Sequence, residues 1–244
     1  MNKILITFAK VIFLTAIYVI SGFILRGLGF FTHDETLLPF LGTFIRWCIT
    51  IFVLVVIFRY KFKKEENFIM TRYTKNSAII FGVISIILLL ASLMSGTNLL
   101  RAFLHIIQML LVVGLFEELF FRGFVTNEML SLKKYGIKPS VAIIISGVFF
   151  GALHLISPMH GLSIVAFILV RGVVPSILGI SFAVILYYKK DVIALMFIHA
   201  AVNLSMNIIT SGFTLFVIVS ISIVYTITLH RDERFKTGQA FLEG

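Results

Sequence analysis

The sequence predicts an all-α, polytopic membrane bundle of about eight transmembrane helices, and three observations carry that prediction. Hydrophobic residues make up 59% of the 244 and charged residues 13%, against about 45–50% and about a quarter in soluble domains; the mean hydropathy is +1.08. The apolar residues form runs close to the ~20 residues that one bilayer crossing needs. Basic residues collect in the short segments between the runs. The composition also excludes a disordered chain, which needs low hydrophobicity and high charge. Cys48, the only cysteine, excludes an internal disulfide scaffold. The net charge of +10 is not a nucleic-acid signal, because no basic face or tract sits on a soluble domain.

The runs follow in order. Segment 4–25, after Lys3, is longer than a signal-peptide core and has no small-residue cleavage signal behind it, so it reads as an uncleaved first helix. Segments 39–58, 77–94 and 102–125 are the next three crossings. The fifth, 140–156, starts behind Pro139, whose missing N–H costs nothing at a helix start. The sixth, 162–188, is interrupted by Arg171-Gly172-Val173-Val174-Pro175. It is either one crossing or a re-entrant piece followed by a short one, which gives seven full crossings. Segments 192–209 and 213–229 complete the set, and a polar tail occupies 230–244. No repeat or linker divides 1–244, which reads as a single integral membrane domain.

Charge sets the orientation. With both termini cytoplasmic, the inside segments hold 15 of the 21 basic residues and the outside loops only Arg26 and Arg101. Excess Lys and Arg on one side is what retains loops in the cytoplasm. Four basic residues remain inside predicted helices: Lys10, Arg46, Arg122 and Arg171. Lys10 and Arg46 lie about 9 Å from a helix end, close enough to snorkel. Arg171 is left with three partners, a lipid phosphate, Glu117 or Glu118.

Charged side chains deep in a bilayer cost about 2.5–3.5 kcal/mol or more, so they face protein or water and mark function. Phe116-Glu117-Glu118-Leu119-Phe120-Phe121-Arg122-Gly123 places two carboxylates in an apolar helix. Glu118 and Arg122, four apart with the acid first, form a helical ion pair. Glu117, about 100° round the helix, is left without that cation, as a carboxylate able to take a proton from water. A purely structural ion pair explains Glu118 and Arg122 but not Glu117. His154 follows Phe150-Gly151-Ala152-Leu153, whose small residues admit another backbone. His199 and Asn203, four apart across Ala200-Ala201-Val202, share a face and have N–H groups that can hold an oxyanion; interhelical hydrogen bonding is the alternative for both histidines and Asn203. No phosphate loop, CxxC, HExxH or nucleophile elbow is present in the sequence.

Taken together, Glu-Glu-x-x-x-Arg, Phe-x-x-x-His and His-x-x-x-Asn, each in its own helix, resemble the CAAX protease and bacteriocin-processing family (CPBP, or Abi), whose eukaryotic members are the type II CAAX prenyl endopeptidases. The resemblance covers about 102–207, the catalytic core of such proteins. It implies an intramembrane endopeptidase acting on a membrane-associated protein or peptide in the cell membrane. Glu117 would activate water, shared by His154. Glu118 with Arg122 would fix the site, and His199 with Asn203 would stabilise the oxyanion. No cofactor is expected. A zinc site is the rival chemistry, disfavoured because Arg122 sits beside the carboxylates and Asn is a poor ligand. A small transporter or an immunity scaffold is the non-protease alternative. Counted from the predicted cytoplasmic helix ends, Glu117, His199 and His154 spread over roughly 10–21 Å of depth.

The orientation predicts the accessibility of single cysteines introduced into a Cys48→Ser background. Residues placed at Asn67 and Gln239 should resist an impermeant thiol reagent in intact cells and react once the membrane is opened. Labelling of either from outside overturns the topology.

Overall fold

The computed structural model describes residues 3–29, 37–62, 72–94, 96, 98–156, 161 and 163–208. Among them there is no strand, and seven helices follow one another: α1 (Lys3–Gly27), α2 (Leu37–Phe52, continued by the wider turns Val53–Ile57), α3 (Arg72–Met94), α4 (Leu99–Tyr135), α5 (Pro139–His154), α6 (Ile164–Lys189) and α7 (Val192–Ile208). They coincide with the first seven predicted segments. Segment 213–229 and the tail lie outside the described residues. The long apolar helices α1 to α4 and α6 can cross a membrane, whereas α5 and α7 are shorter. At 1.5 Å per residue the 16 residues of α5 reach only about 24 Å, less than the ~30 Å hydrocarbon core.

The interior is mainly apolar, and the outer surface is apolar as well, unlike that of a soluble protein. Large apolar side chains such as Phe23, Phe52, Ile79 and Leu90 point outward, while Thr7, Ser21, Thr50, Ser85 and Ser92 are buried. Inside a helix such hydroxyls donate back to their own backbone, as Thr50 does to Arg46 O (2.9 Å) and Ser85 to Phe81 O (2.8 Å). Apolar surface therefore faces lipid, which needs no hydrogen bonds, and Ser21, Thr50 and Ser85 have local acceptors, whereas Thr7 Oγ1 has no partner among the described residues.

α3 starts at Arg72, five residues ahead of the predicted 77, and α4 and α6 depart further from the sequence-based reading. α4 starts at a cap, with the Asn98 side chain accepting from Leu100 N (2.9 Å) and Arg101 N (3.4 Å). It runs on through the predicted loop 126–139 to Gly136, which ends it at φ +89°. The extension persists because Met129 and Leu132 are buried on its inner face. α6 is one helix, not a re-entrant piece and a crossing. Ahead of Pro175, which has no N–H to give, the helix widens over Leu169–Val173, and Ser176 donates to Gly172 O (2.8 Å). Wider turns absorb the proline without breaking the rod.

α5 lies against α6 through small residues. A Cβ at Gly147 would fall on Ile180, and one at Gly151 on Ser176 Oγ and the Gly172 carbonyl oxygen. Gly179 sits 3.0 Å from Gly147 by the same measure. This small-xxx-small contact is how membrane helices gain packing without a hydrophobic driving force. α7 begins at Asp191, which accepts from Ala194 N (2.8 Å) and from Thr74 Oγ1 of α3 (3.0 and 2.8 Å). That cap fixes where α7 starts. Gly151→Val should lower stability in detergent by at least the ~1–3 kcal/mol of overpacking, read as thermal unfolding. Gly82→Ala, whose added methyl meets nothing within 4 Å, should leave the unfolding temperature unchanged or slightly raised.

Candidate active site

The middle of α4 is not an ordinary α-helix. Met109–Glu117 and Leu119–Thr126 both have the wider i→i+5 pattern and flank Glu118. Such turns are rare and concentrate at functional sites. Side chains satisfy the carbonyls involved. Thr126 Oγ1 donates to Phe121 O (2.8 Å), Asn127 Nδ2 to Arg122 O (3.0 Å), and Tyr60 OH to Gly123 O (2.8 Å). Thr126 also shares a buried hydrogen bond of 2.7 Å with Ser146, which ties α5 to α4.

Glu118 is fully buried, hydrogen-bonded at Oε1 and in ion-pair contact without a hydrogen bond at Oε2. Arg122 Nε lies 3.1 Å from Oε2, and His199 Nδ1 lies 2.7 Å from Oε1. Arg122 and His199 are themselves 1% and 2% exposed. Around the guanidinium stand three phenylalanine rings: its Cζ is 4.5 Å from the centroid of Phe150, 5.1 Å from Phe182 and 5.8 Å from Phe121. Arg122 Nη1 and Nη2 have no hydrogen-bond partner among the described residues, so the aromatic faces are what surrounds the charge. The approach of α7 depends on Gly114, one turn before Glu118. A Cβ there would stand 2.6 Å from Met196 O.

The other predicted site residues divide into two groups. Glu117 and His154 line one cavity of about 330 Å³, together with Tyr18, Arg26, Arg46 and Trp47 of α1 and α2. Glu117 makes no hydrogen bond or ion pair among the described residues. His154 Nδ1 is 2.8 Å from Phe150 O; a carbonyl only accepts, so Nδ1 carries the proton and Nε2 is the ring's accepting atom. His199 and Asn203 are not in the cavity wall. They sit behind it, His199 on Glu118 and Asn203 donating from Nδ2 to His199 O (3.1 Å). Phe150 joins the two groups, with ring centroids 4.6 Å from His154 and 5.8 Å from His199.

The spread in depth between Glu117 and His154 narrows once α4 is given its true end, while His199, near the start of α7, is brought to the site by its direct contact with Glu118 at 2.7 Å. Counted from Tyr135, Glu117 stands about as many residues up its helix as His154 does from Pro139, so both reach similar heights. Arg46 is a correction to the snorkelling expectation. Its guanidinium lies 4.0 Å over the Tyr18 ring, with Nε donating to Tyr18 O (3.3 Å), in space that only a glycine at position 22 leaves open. Nothing in one helix's spacing signals this, because the space is made by a neighbouring helix. Arg171 forms no ion pair with Glu117 or Glu118.

A zinc ion needs three or four side chains converging on one position. Both Glu118 oxygens are engaged by Arg122 and His199, while the two histidines, held at Nδ1, keep Nε2 as their remaining ring nitrogen. Among the described residues no three His, Cys, Asp or Glu side chains are grouped as a metal needs.

Residues 98–205 match the family model described as Type II CAAX prenyl endopeptidase Rce1-like. No curated protein and no solved structure matches the chain. The matched stretch contains all six predicted site residues, whereas the α1 and α2 wall of the cavity lies outside it.

Removing one partner of a buried ion pair costs about 3–5 kcal/mol, whereas replacing both by apolar groups is far less damaging. Glu118→Gln should therefore lower stability by an amount of that order. The double change Glu118→Leu with Arg122→Leu should recover much of it, read by denaturation in mild detergent. An unaltered unfolding transition in Glu118→Gln would remove Glu118 from the centre of the structure.

Proposed function

We propose that this chain, which over residues 98–205 belongs to the CAAX protease (CPBP) family, is an intramembrane endopeptidase that hydrolyses a peptide bond of a membrane-associated substrate with Glu117 as general base. The observation that carries the reading is the shared cavity: an unpaired carboxylate and an accepting imidazole nitrogen on one wall. A water between them has an acceptor for each of its two hydrogens, Glu117 for one and His154 Nε2 for the other. Its oxygen lone pair is then free to attack a carbonyl carbon.

Glu117 takes the water proton as the C–O bond forms, and the carbonyl oxygen becomes an oxyanion. The tetrahedral centre collapses with cleavage of C–N, and Glu117 returns the proton to the leaving amine. Proton transfer by such a group contributes about 10²–10⁴-fold. His199, committed to Glu118 at Nδ1, has Nε2 as its remaining ring nitrogen. We assign His199 Nε2 and the Asn203 amide to the developing oxyanion, a role that requires the substrate carbonyl to reach past the cavity wall behind which both stand. The reaction runs without a metal in this scheme, because the nucleophile is made by a carboxylate and the charge is met by fixed N–H donors.

Glu117→Gln preserves size and removes basicity. Peptide cleavage by this variant in membranes, followed by mass spectrometry across a broad panel, should fall about 10²–10⁴-fold or more. Expression and unfolding temperature should stay near wild type, since no ion pair is broken. An unchanged peptide profile sinks the protease reading. Loss of solute flux in a protein that never cleaves a peptide would instead make it a transporter.

A further inference from the structure

The cavity is polarised. It runs from exposed Phe23, Arg26 and Ile156, at the ends of α1 and α5, inward to Glu117. Among the described residues Glu117 is the one acidic residue in its wall, and Arg26 and Arg46 stand in the same wall on α1 and α2. Apart from these groups the lining is largely apolar and aromatic. At about 330 Å³ it has the size of a small-ligand pocket. A carboxylate entering this space is repelled at the Glu117 end and attracted at the arginine end.

The arginine end is constructed rather than incidental. An arginine this near a helix end normally extends to the membrane surface. Arg46 instead lies on the Tyr18 ring at 4.0 Å, anchored to Tyr18 O, in the place that Gly22 vacates. Next to it, the Trp47 indole N–H is buried without a hydrogen-bond partner among the described residues. Arg26, at the mouth, is one of only two basic residues in the loops predicted to lie outside, so cytoplasmic retention does not account for it.

We propose that Arg26 and Arg46 form an anion subsite that receives a carboxylate of the peptide substrate, its C-terminus or an acidic side chain, and thereby set which bond reaches Glu117. This rests on the protease reading of the same cavity. Guanidinium is the suited group, since its planar fork matches a carboxylate with two parallel hydrogen bonds. The residues come from helices outside the matched stretch 98–205, so the subsite is an addition of this chain's N-terminal helices to the six-residue centre.

The test uses the full chain in nanodiscs and three versions of one N-terminally fluorescent apolar pentapeptide: free acid, C-terminal amide, and amide with one internal aspartate. Binding is read by anisotropy on Glu117→Gln, which keeps the peptides intact, so a failure of the protease reading shows separately as absence of cleavage by wild type. The free acid, the aspartate amide or both should bind about 10- to 100-fold tighter than the plain amide, the range of a charge-assisted hydrogen bond. A preference for the free acid alone assigns the C-terminus, and tight binding of the aspartate amide assigns a side chain. Adding Arg26→Gln or Arg46→Gln should shrink that advantage and leave the plain amide unchanged. Arg26 is exposed, so its variant carries the test even if Arg46→Gln fails to fold. Equal binding of all three peptides, none included, or an advantage untouched by the arginine changes, overturns the subsite.

Discussion

One buried carboxylate organises the centre of this bundle. Glu118 lies where a lone charge would cost several kcal/mol, and it persists because two helices meet at its oxygens. Arg122 approaches from one turn along α4 and His199 from α7. The pairing is intramolecular glue, but it is also a geometric constraint. His199 Nδ1 at 2.7 Å from Oε1 fixes the ring's orientation, and with it the direction of Nε2. The three phenylalanines about Arg122 come from α4, α5 and α6, so the same charge also gathers two further helices. Polar groups worth little in water become organising points where lipid offers no alternative partner.

Close approach of backbones makes the pairing possible. Gly114 lets the Met196 carbonyl come against α4, and one turn further on the Glu118 and His199 side chains then meet. Gly147 and Gly151 do the same between α5 and α6, which places Phe150 between the two histidines. The two helices that carry those histidines are the short ones. α7 starts from an Asp191 cap that is itself buried and tied to α3. The widened turns of α4 belong to the same logic, since a helix that is locally unwound near Glu117 and Glu118 redirects adjacent side chains to different surroundings.

The positions of seven helices were legible because apolar length is a strong signal in a membrane chain. The Glu118–Arg122 pair was legible because i, i+4 spacing survives the widening of the helix around it. The course of α4 past 125 was not, since Lys133 and Lys134 read as loop while Met129 and Leu132 on the inner face decide that the helix continues. The depth mismatch between Glu117 and His154 was a consequence of that error; that of His199 was not, since α7 starts at Val192 as expected. Arg46 was misread for a different reason. Its position relative to one helix end says snorkelling, but the space that draws it inward belongs to Gly22 of α1, and such space between helices has no period in the sequence. Likewise Gly114 is unremarkable in an apolar run until α7 is seen to lie on it.

Glu117 and Glu118 are adjacent in the chain and opposite in circumstance. Glu118 has every oxygen committed and no contact with the cavity, so any chemistry it influences must pass through His199 or Arg122. Glu117 has no hydrogen bond or ion pair of its own among the described residues and faces the cavity that reaches the surface near Arg26. A carboxylate that is to exchange a proton must not be saturated by fixed cations, and a carboxylate that is to hold a helix must be. The double acid meets both needs because rotation by about 100° between neighbours sends one side chain into the packed interface and the other to the open space. A single glutamate at either position would have to serve as anchor and as base, and the first role would remove the freedom on which the second depends.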